Sequence, residues 1–415
     1  MSPRALDAWL YGTLVAHVER DREDGVRLTF SPEALTRWGH GSAVMSGLLP
    51  LSERSPSTTA VAAWLRGLMP EGRARGHLAE RAGVPPDDVV GFLAVYGRDT
   101  AGAVTLVPRG AAPDRPKVPL RTLDDAEIGE LLDEATAQGV ADQPTSIAGL
   151  EAKAVLTSTV DGFAHPTPDR PSTHILKVAR PADSRSADLT DTEAAALALA
   201  RACGLGDVEA QHREFAGRRT LVVRRYDRVV LDDRTERVHQ EDMAQLLGLD
   251  TSDPERKFQY GKRLPALREI ALRLDRLGVP LRDLLALTTF NLAIGNADAH
   301  AKNVSVLHLE DGTHRLAPVY DVAMHMHHEH AEQRFAMDVD GGRGMHELSS
   351  AHLTAEAASW GVPPRLASRV VRETLEQLDR TLAAVARTDH PGVGESAWAT
   401  VESRVRRLLG GDPAR

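Results

Sequence analysis

The amino-acid sequence predicts an α+β fold in which a β-rich lobe precedes a mainly helical lobe, with an additional α/β subdomain in front of both. Short apolar runs typical of strands recur up to about residue 235, and helical periodicity dominates beyond residue 240. A length of 415 residues allows two or three separate hydrophobic cores. We therefore assign 1–110 to the N-terminal subdomain, 111–120 to a linker, 121–235 to the β-rich lobe and 236–415 to the helical lobe.

The first 120 residues predict a mixed subdomain followed by a linker. Apolar alternation over 10–18 and 26–30 indicates strands, and the segment 60–68 has helical spacing. A polar segment with prolines at 113, 116 and 119 follows. Because proline interrupts regular structure, this segment is the predicted linker.

The middle of the chain predicts a strand, strand, helix, strand order. An acidic helix-periodic stretch over 122–138 leads into apolar runs at 154–159 and 174–179, which are typical of strands. Thr190 and Asp191 precede an amphipathic helix that extends to Gly204. Two further strand-like runs occupy 220–223 and 228–231. This order predicts a sheet with one helix packed against it.

Beyond residue 240 the pattern predicts helices. We expect His239–Asp242 to form the acidic opening turn of a helix that ends before Gly248. Further helices are predicted over the segments 264–277, 281–294, 354–359, 365–387 and 397–409.

Composition excludes several classes of protein. The net charge of −9 opposes direct binding to DNA, which requires a basic surface. The longest apolar runs fall well short of the roughly 18 residues that a membrane-spanning helix needs, so we expect no membrane association. Cys203 is the single cysteine of the chain and cannot close an internal disulfide. We therefore expect a cytoplasmic protein.

The segment 295–306 places many polar residues between an apolar helix and an apolar strand. Asp298 and Asn303 have the spacing at which kinases place a catalytic carboxylate and a metal-binding amide. Asp321 follows a second apolar run and is the expected second metal ligand. Hard oxygen ligands of this kind suit Mg²⁺. The alternative is a loop whose polar side chains only cap helix ends and form turns.

Lysine is rare in this chain, with six lysines among 50 basic residues. Lys177 is the only charge inside an apolar run, where an unpaired ammonium is costly, and Glu193 follows in the next predicted helix. A strand lysine paired with a helix glutamate holds ATP phosphates in two-lobed kinases. The loop around Gly149, between Ser146 and Lys153, precedes the first strand of this unit but is not a Walker A sequence.

These residues resemble the HipA family, the serine/threonine-protein kinase toxins of bacterial type II toxin–antitoxin systems. The similarity runs over nearly the whole chain in family order. It is carried by the segments 67–72, 97–103, 146–153, 174–177, 226–228, 239–242, 295–303 and 320–321.

The resemblance implies a two-lobed protein-kinase-like fold with ATP and Mg²⁺ as cofactors. It implies that Asp298 is the catalytic base, that Asn303 and Asp321 bind the metal ion, and that Lys177 binds ATP phosphates. Ser146 corresponds to a self-phosphorylated serine, whose phosphate would inhibit the kinase. The nucleotide site is further expected to include Gly149, Lys153, Glu193 and Tyr226.

The resemblance also implies partners. Family substrates include aminoacyl-tRNA synthetases, and the usual partner is a helix–turn–helix antitoxin, through which any contact with DNA would be made. Two other functions remain open: a small-molecule phosphotransferase with the same fold, and a catalytically inactive scaffold.

Three further features concern the surroundings of Asp298. We expect Lys302 to neutralise γ-phosphate charge and His300 to act in the catalytic loop, chiefly as a hydrogen-bonding residue that holds it. The histidine-rich segment 324–330 could indicate a metal site, because imidazole is a common transition-metal ligand. We interpret it instead as a solvated or substrate-facing loop, since no second ligand group stands at a defined spacing.

Overall fold

The structure is a computed structural model that describes residues 4–21, 25–113, 118–141, 143, 152–231, 234–251, 265–331 and 333–410. Antiparallel sheets alternate with helices in the first half, and helices dominate the second half. The α+β prediction is confirmed. No helix of the described residues is long and apolar enough to cross a membrane.

The N-terminal subdomain packs helices against a four-stranded antiparallel sheet. Its strands are β1 (Ala5–Leu10), β2 (Thr13–Arg20), β3 (Val26–Phe30) and β4 (Thr105–Pro108), in the order β3-β2-β1-β4. Its helices are α1 (Pro32–Trp38), α2 (Thr58–Gly67), α3 (Gly72–Ala82) and α4 (Val89–Tyr96). Buried Trp64 and Phe92 belong to a hydrophobic core of its own, which agrees with a separately packed unit.

The β-rich lobe contains a five-stranded antiparallel sheet in the order β6-β5-β7-β9-β8. The elements are α5 (Asp125–Gln138), β5 (Lys153–Ser158), β6 (Phe163–Ala164), β7 (His174–Val178), α6 (Leu189–Ala202), β8 (Ala210–Phe215) and β9 (Arg218–Arg224). Lys153 of β5 stands directly opposite Lys177 of β7 in this sheet. Both lysines therefore project from the same region of adjacent strands.

Five short strands follow the β-rich lobe or lie within the helical one. They are β10 (Arg228–Val230), β11 (Thr235–Arg237), β12 (His239–Asp242), β13 (Ser305–His308) and β14 (His314–Leu316), and the last three form one sheet. The prediction of a helical turn over His239–Asp242 is wrong. This segment pairs with β13, and the helix begins after it, where the side chain of Asp242 accepts a 2.8 Å hydrogen bond from the backbone N–H of Gln245.

Most of the helices predicted beyond residue 240 are present in the helical lobe. Its helices are α7 (Met243–Leu247), α8 (Leu267–Arg276), α9 (Leu281–Ile294), α10 (Ser350–Ser359), α11 (Pro364–Ala384) and α12 (Glu395–Leu409), with a small hairpin of β15 (Arg334–Val339) and β16 (Gly342–Gly344). Helix α9 is buried over most of its length, which fixes the loop that follows it.

A buried ionic network joins the N-terminal subdomain to the connection between the lobes. The guanidinium of Arg228 lies 2.9 Å from Oδ1 of Asp99, and the backbone N–H of Gly102 donates a 2.7 Å hydrogen bond to Asp227. Arg225 also donates to Asp227 at 2.8 Å and 2.9 Å. Burial of charges is tolerated here because each charge is paired and hydrogen-bonded. The subdomain is therefore attached firmly beside the segment that links the two lobes.

Candidate active site

A cavity of about 840 Å³ lies between the β-rich lobe and the helical lobe. Residues of both lobes line it, including Lys153, Ile175, Lys177, Glu193, Val223, Tyr226, Asp298, His300, Lys302, Asn303 and Asp321. Nine of the eleven site residues predicted from the sequence therefore face one cavity. The other two, Ser146 and Gly149, lie outside the described residues.

Lys177 joins three elements of the cavity wall. Its Nζ lies 2.7 Å and 2.9 Å from the two carboxylate oxygens of Glu193 on α6, and 2.5 Å from Oδ1 of Asp321. Lys177 and Glu193 are both buried, so the ammonium is stabilised by charge pairing rather than by water. Lys177 therefore links helix α6 to Asp321.

Asp321 has an unusual backbone and a strongly perturbed carboxyl group. Its φ of 50° lies in the left-handed region, which non-glycine residues seldom adopt outside functional sites. Although desolvation raises the pKa of Asp321, the neighbouring charges of Lys177 and Lys153 outweigh it and hold that pKa far below its usual range. Asp321 is therefore ionised at neutral pH.

The loop after α9 places Asp298 beside Asn303. The side-chain amide of Asn303 donates a 2.9 Å hydrogen bond to the backbone carbonyl of Asp298 and a 3.5 Å contact to that of Asp321. The backbone N–H of Asp298 is held in turn by Oδ1 of Asn296 at 3.1 Å. The Asp298 side chain remains 48% exposed, toward the cavity. A carboxylate held in this way is accessible to a second molecule.

His300 holds the same loop from inside. Its Nδ1 accepts a 3.2 Å hydrogen bond from the backbone N–H of Lys302, and its Nε2 lies 3.6 Å from Oδ1 of Asp298. His300 is thus a positioning residue for Asp298, which agrees with the hydrogen-bonding role predicted for it.

The structure does not support the predicted phosphate contact of Lys302. Its Nζ lies 2.7 Å from Oε1 of Glu71 in the N-terminal subdomain and 3.8 Å from Oδ2 of Asp242. Burial lowers the pKa of Lys302, while Asp242 opposes that effect. The side chain is 5% exposed, so its charge is already neutralised by two carboxylates. Sequence reasoning did not connect Glu71 with Lys302, although the segment 67–72 carries part of the family resemblance.

Tyr226 also lines the cavity. Its ring packs 5.3 Å from the ring of Tyr320, and its hydroxyl donates to the amide oxygen of Gln240. Burial raises the pKa of the Tyr226 hydroxyl well above its usual range. Ile175 and Val223 line the same cavity, so part of its wall is apolar. A ligand with a flat apolar part and an anionic part suits such a cavity.

Comparison with known families identifies both parts of the chain. A family described as the HipA-like C-terminal domain matches residues 145–382, and a family described as the HipA N-terminal domain matches residues 6–107. The chain belongs to the HipA family. The resemblance predicted from the sequence is confirmed.

Several proteins are similar to this HipA-family chain over most of their length. A putative kinase, Y4mE, of Sinorhizobium fredii is 31% identical over 93% of this chain and 92% of its own length. The serine/threonine-protein kinase toxin HipA of Shewanella oneidensis is 26% identical over 87% of this chain and 85% of its own.

A solved structure has the same fold. HipA of Shewanella oneidensis, in a complex with HipB and its operator DNA, superposes with a TM-score of 0.81 at 23% identity, covering 98% of this chain and 97% of that one. The predicted two-lobed, protein-kinase-like fold with an extra N-terminal subdomain is confirmed.

Proposed function

We propose that this chain is a serine/threonine-protein kinase that uses ATP and Mg²⁺ to phosphorylate a protein hydroxyl. The convergence of Lys177, Glu193 and Asp321 beside Asp298 and Asn303 in one cavity carries this proposal. Similarity to named kinases over most of the chain supports it. The paired carboxylate, amide and ammonium are the groups that phosphoryl transfer requires.

The donor set fits a magnesium ion. The amide nitrogen of Asn303 is engaged by two backbone carbonyls, which leaves its Oδ1 as the atom available to a cation. The Asp321 side chain is 45% exposed in the cavity and is ionised, so it offers a hard anionic oxygen. When bound, Mg²⁺ would neutralise charge on the phosphates. Asn303 and Asp321 are the residues that would hold it.

The side chains of this chain would perform the remaining tasks by positioning. Lys177 would offer its ammonium to the anionic phosphates, oriented by Glu193. The carboxylate of Asp298 would accept the proton of the acceptor hydroxyl. The oxygen of that hydroxyl would form a bond to the γ-phosphorus while the bond between this phosphorus and the departing ADP oxygen breaks. Because the transition state for this transfer is loose, orientation contributes more than base strength. The buried N-terminal contacts keep the lobes aligned.

The replacement Asp298→Asn tests the proposal. We expect loss of ATP-dependent phosphate transfer, measured with γ-labelled ATP, with an unchanged midpoint of thermal unfolding. Asp379→Asn, on the exposed surface of α11, is the matched control and should keep wild-type transfer. Wild-type transfer by Asp298→Asn would remove Asp298 from this role.

We further propose that Ser146 is autophosphorylated and that this modification inhibits the kinase. A phosphate on Ser146 would add about −1.5 to −2 charges to the segment just before Lys153 in the sequence, and Lys153 lines the cavity proposed to bind anionic ATP. Mass spectrometry after incubation with Mg-ATP measures the modification. An unmodified Ser146 in an active preparation would contradict this proposal.

As its biological role, we propose a cytoplasmic toxin that is controlled by a helix–turn–helix antitoxin and acts on an aminoacyl-tRNA synthetase. The relative in Shewanella oneidensis is named a kinase toxin, and its solved complex contains HipB and DNA. A net charge of −9 favours DNA contact through the antitoxin only. Expression should arrest growth, and Asp298→Asn should not. Phosphate transfer to purified synthetases would identify the substrate.

A further inference from the structure

Two adjacent histidines converge on one carboxylate outside the predicted catalytic residues. Nε2 of His327 lies 2.8 Å from Oδ2 of Asp188, and Nε2 of His328 lies 2.6 Å from Oδ1 of the same residue. Of the two alternatives given for 324–330, a solvated or a substrate-facing loop, the sheltering of these side chains favours the second, and His328 lines the cavity. The missing third group stands 139 residues earlier in the chain, which is why no local spacing indicated it.

The three side chains form a compact and largely sheltered cluster. One ligand atom from each of them lies within 4.8 Å of the others. The side chains of His327, His328 and Asp188 are 6%, 15% and 23% exposed. The two imidazole rings lie 3.9 Å apart, so both nitrogens face the same small volume. This geometry differs from that of a surface histidine tract, in which side chains diverge into water.

Asp188 is committed to this cluster rather than to its helix. It occupies the N-cap position of α6, where an aspartate commonly accepts a hydrogen bond from the helix backbone, yet its side chain makes no such bond. Burial raises its pKa, but the hydrogen bonds from His327 and His328 outweigh burial and lower it to about 2. The carboxylate is thus ionised and aimed at the two imidazoles.

We propose that Asp188, His327 and His328 bind one divalent first-row transition-metal ion, with Zn²⁺ as the expected occupant. Two imidazole nitrogens and one carboxylate oxygen form a common ligand set for zinc, with water in the fourth tetrahedral position. Borderline-soft imidazole favours such a metal over Mg²⁺ or Ca²⁺, which prefer oxygen ligands. Its ligands are different from Asn303 and Asp321, although His328 lines the same cavity.

The present distances require only a small adjustment for an ion to enter. With zinc–ligand distances of about 2.0–2.1 Å, tetrahedral ligand atoms are separated by about 3.3 Å. The nitrogen–oxygen distances of 2.6 Å and 2.8 Å must therefore lengthen by about 0.7 Å and about 0.5 Å. Nδ1 of His327 has no hydrogen-bond partner among the described residues. Its ring proton can move to Nδ1 and release the Nε2 lone pair without breaking another protein contact.

A metal ion at this location would affect the position of helix α6. His327 and His328 follow Asp321 closely in sequence, and Asp188 begins the helix that carries Glu193. Glu193 comes five positions after Asp188, which corresponds to about 7.5 Å along the helix. A bound ion would fix the start of α6 to the segment after Asp321, and so would stabilise the Lys177–Glu193 pair. Metal binding itself does not depend on the proposed kinase function.

Zinc titration of the full-length, chelator-treated and tag-free protein tests the site without nucleotide. Competition against a chromogenic chelator should give one Zn²⁺ per chain. The double variant His327→Ala/His328→Ala should lose this binding, and Asp188→Asn, which keeps side-chain size, should weaken it at least tenfold. His346→Ala is the matched control, since that histidine is exposed and its side chain hydrogen-bonds to Gln333, away from Asp188. It should bind like the wild type.

Two outcomes would overturn the metal site. One is an absence of saturable binding in the wild type, which would leave Asp188 as a hydrogen-bond acceptor for two imidazoles and nothing more. The other is equal affinity in the wild type, Asp188→Asn and the double variant. Thermal unfolding gives a second readout, because Zn²⁺ should raise the Tm of the wild type but not of the double variant. Zinc binding without phosphate transfer would contradict only the proposed kinase function.

Discussion

The ammonium of Lys302 lies 2.7 Å from Oε1 of Glu71, and this ion pair joins the loop that carries Asp298 to the N-terminal subdomain. Both side chains are almost completely buried. The pair therefore lies where its loss cannot be compensated by water. It explains why an N-terminal subdomain far from Asp298 in sequence contributes to the geometry of the cavity.

Replacing one member of this pair should destabilise the protein. Among the described residues, Glu71→Ala leaves Asp242, at 3.8 Å, as the ion-pair partner of the buried ammonium of Lys302. We expect the free energy of unfolding to fall by about 3–5 kcal/mol, measured by denaturant titration. The control Glu376→Ala removes an exposed carboxylate from α11 and should change that free energy by less than about 0.5 kcal/mol. Equal stability of the two variants would contradict the structural role of the pair.

Replacing Glu193 should reduce activity, while Asp321 still pairs with Lys177. Glu193→Gln keeps the size of the side chain but removes the charge that holds the ammonium at 2.7 Å. We expect the KM for ATP to rise and kcat to fall, because Lys177 would move toward Asp321. Steady-state kinetics measure both, and Glu376→Gln is the control. Unchanged kinetics in Glu193→Gln would exclude Glu193 from positioning Lys177.

Local patterns predicted much of the fold. The boundaries of α9 agree with the predicted 281–294, because its apolar periodicity is strong and Gly295 with a φ of 78° ends it. The strand His239–Asp242 was missed because its structure depends on pairing with β13, which comes much later in the chain. A short polar segment adopts whichever structure its distant partner imposes.

The site residues that lie close together in the sequence could be predicted from their spacing. Asp298 and Asn303 are five positions apart in one loop, and they remain adjacent in the structure. Glu71 and Asp188 were missed because each meets its partners only through tertiary packing. For the same reason we predicted a phosphate contact for Lys302, whereas in the folded chain its charge is neutralised by Glu71 and Asp242.

The buried carboxyl group of Glu241 should make the stability of the folded protein depend on pH. Burial raises the pKa of Glu241 to about 7, against the hydrogen bonds from Ser46 and the backbone of Gly47. The folded protein therefore keeps this group protonated at pH values where the unfolded chain, with a pKa near 4.5, has lost the proton. Its stabilising contribution is complete below about pH 4.5 and is lost as the pH rises toward 7.

The variant Glu241→Gln cannot lose that proton and should behave differently. Between about pH 4.5 and 7, its stability relative to the wild type should increase by about 1.4 kcal/mol per pH unit. Denaturant unfolding at several pH values measures this slope. His239 and His308, whose pKa values burial lowers to about 3, stay neutral over this pH range and add no slope of their own, although His308 lies 3.2 Å from Glu241. Parallel pH profiles of the two proteins would contradict the raised pKa of Glu241.

Gly295 should be required for the position of the catalytic loop. It combines a φ of 78° with close packing, because a Cβ there would lie 2.8 Å from Cγ of Met326. Gly295→Ala should therefore cost the roughly 1–2 kcal/mol of a left-handed alanine plus the cost of displacing Met326. Gly312→Ala is the matched control, since its φ is 82° and no atom lies within 4 Å of its added Cβ. The free energy of unfolding and the rate of phosphate transfer should both fall further in Gly295→Ala than in Gly312→Ala. Equal losses in the two variants would mean that only the backbone conformation, and not the contact with Met326, limits this position.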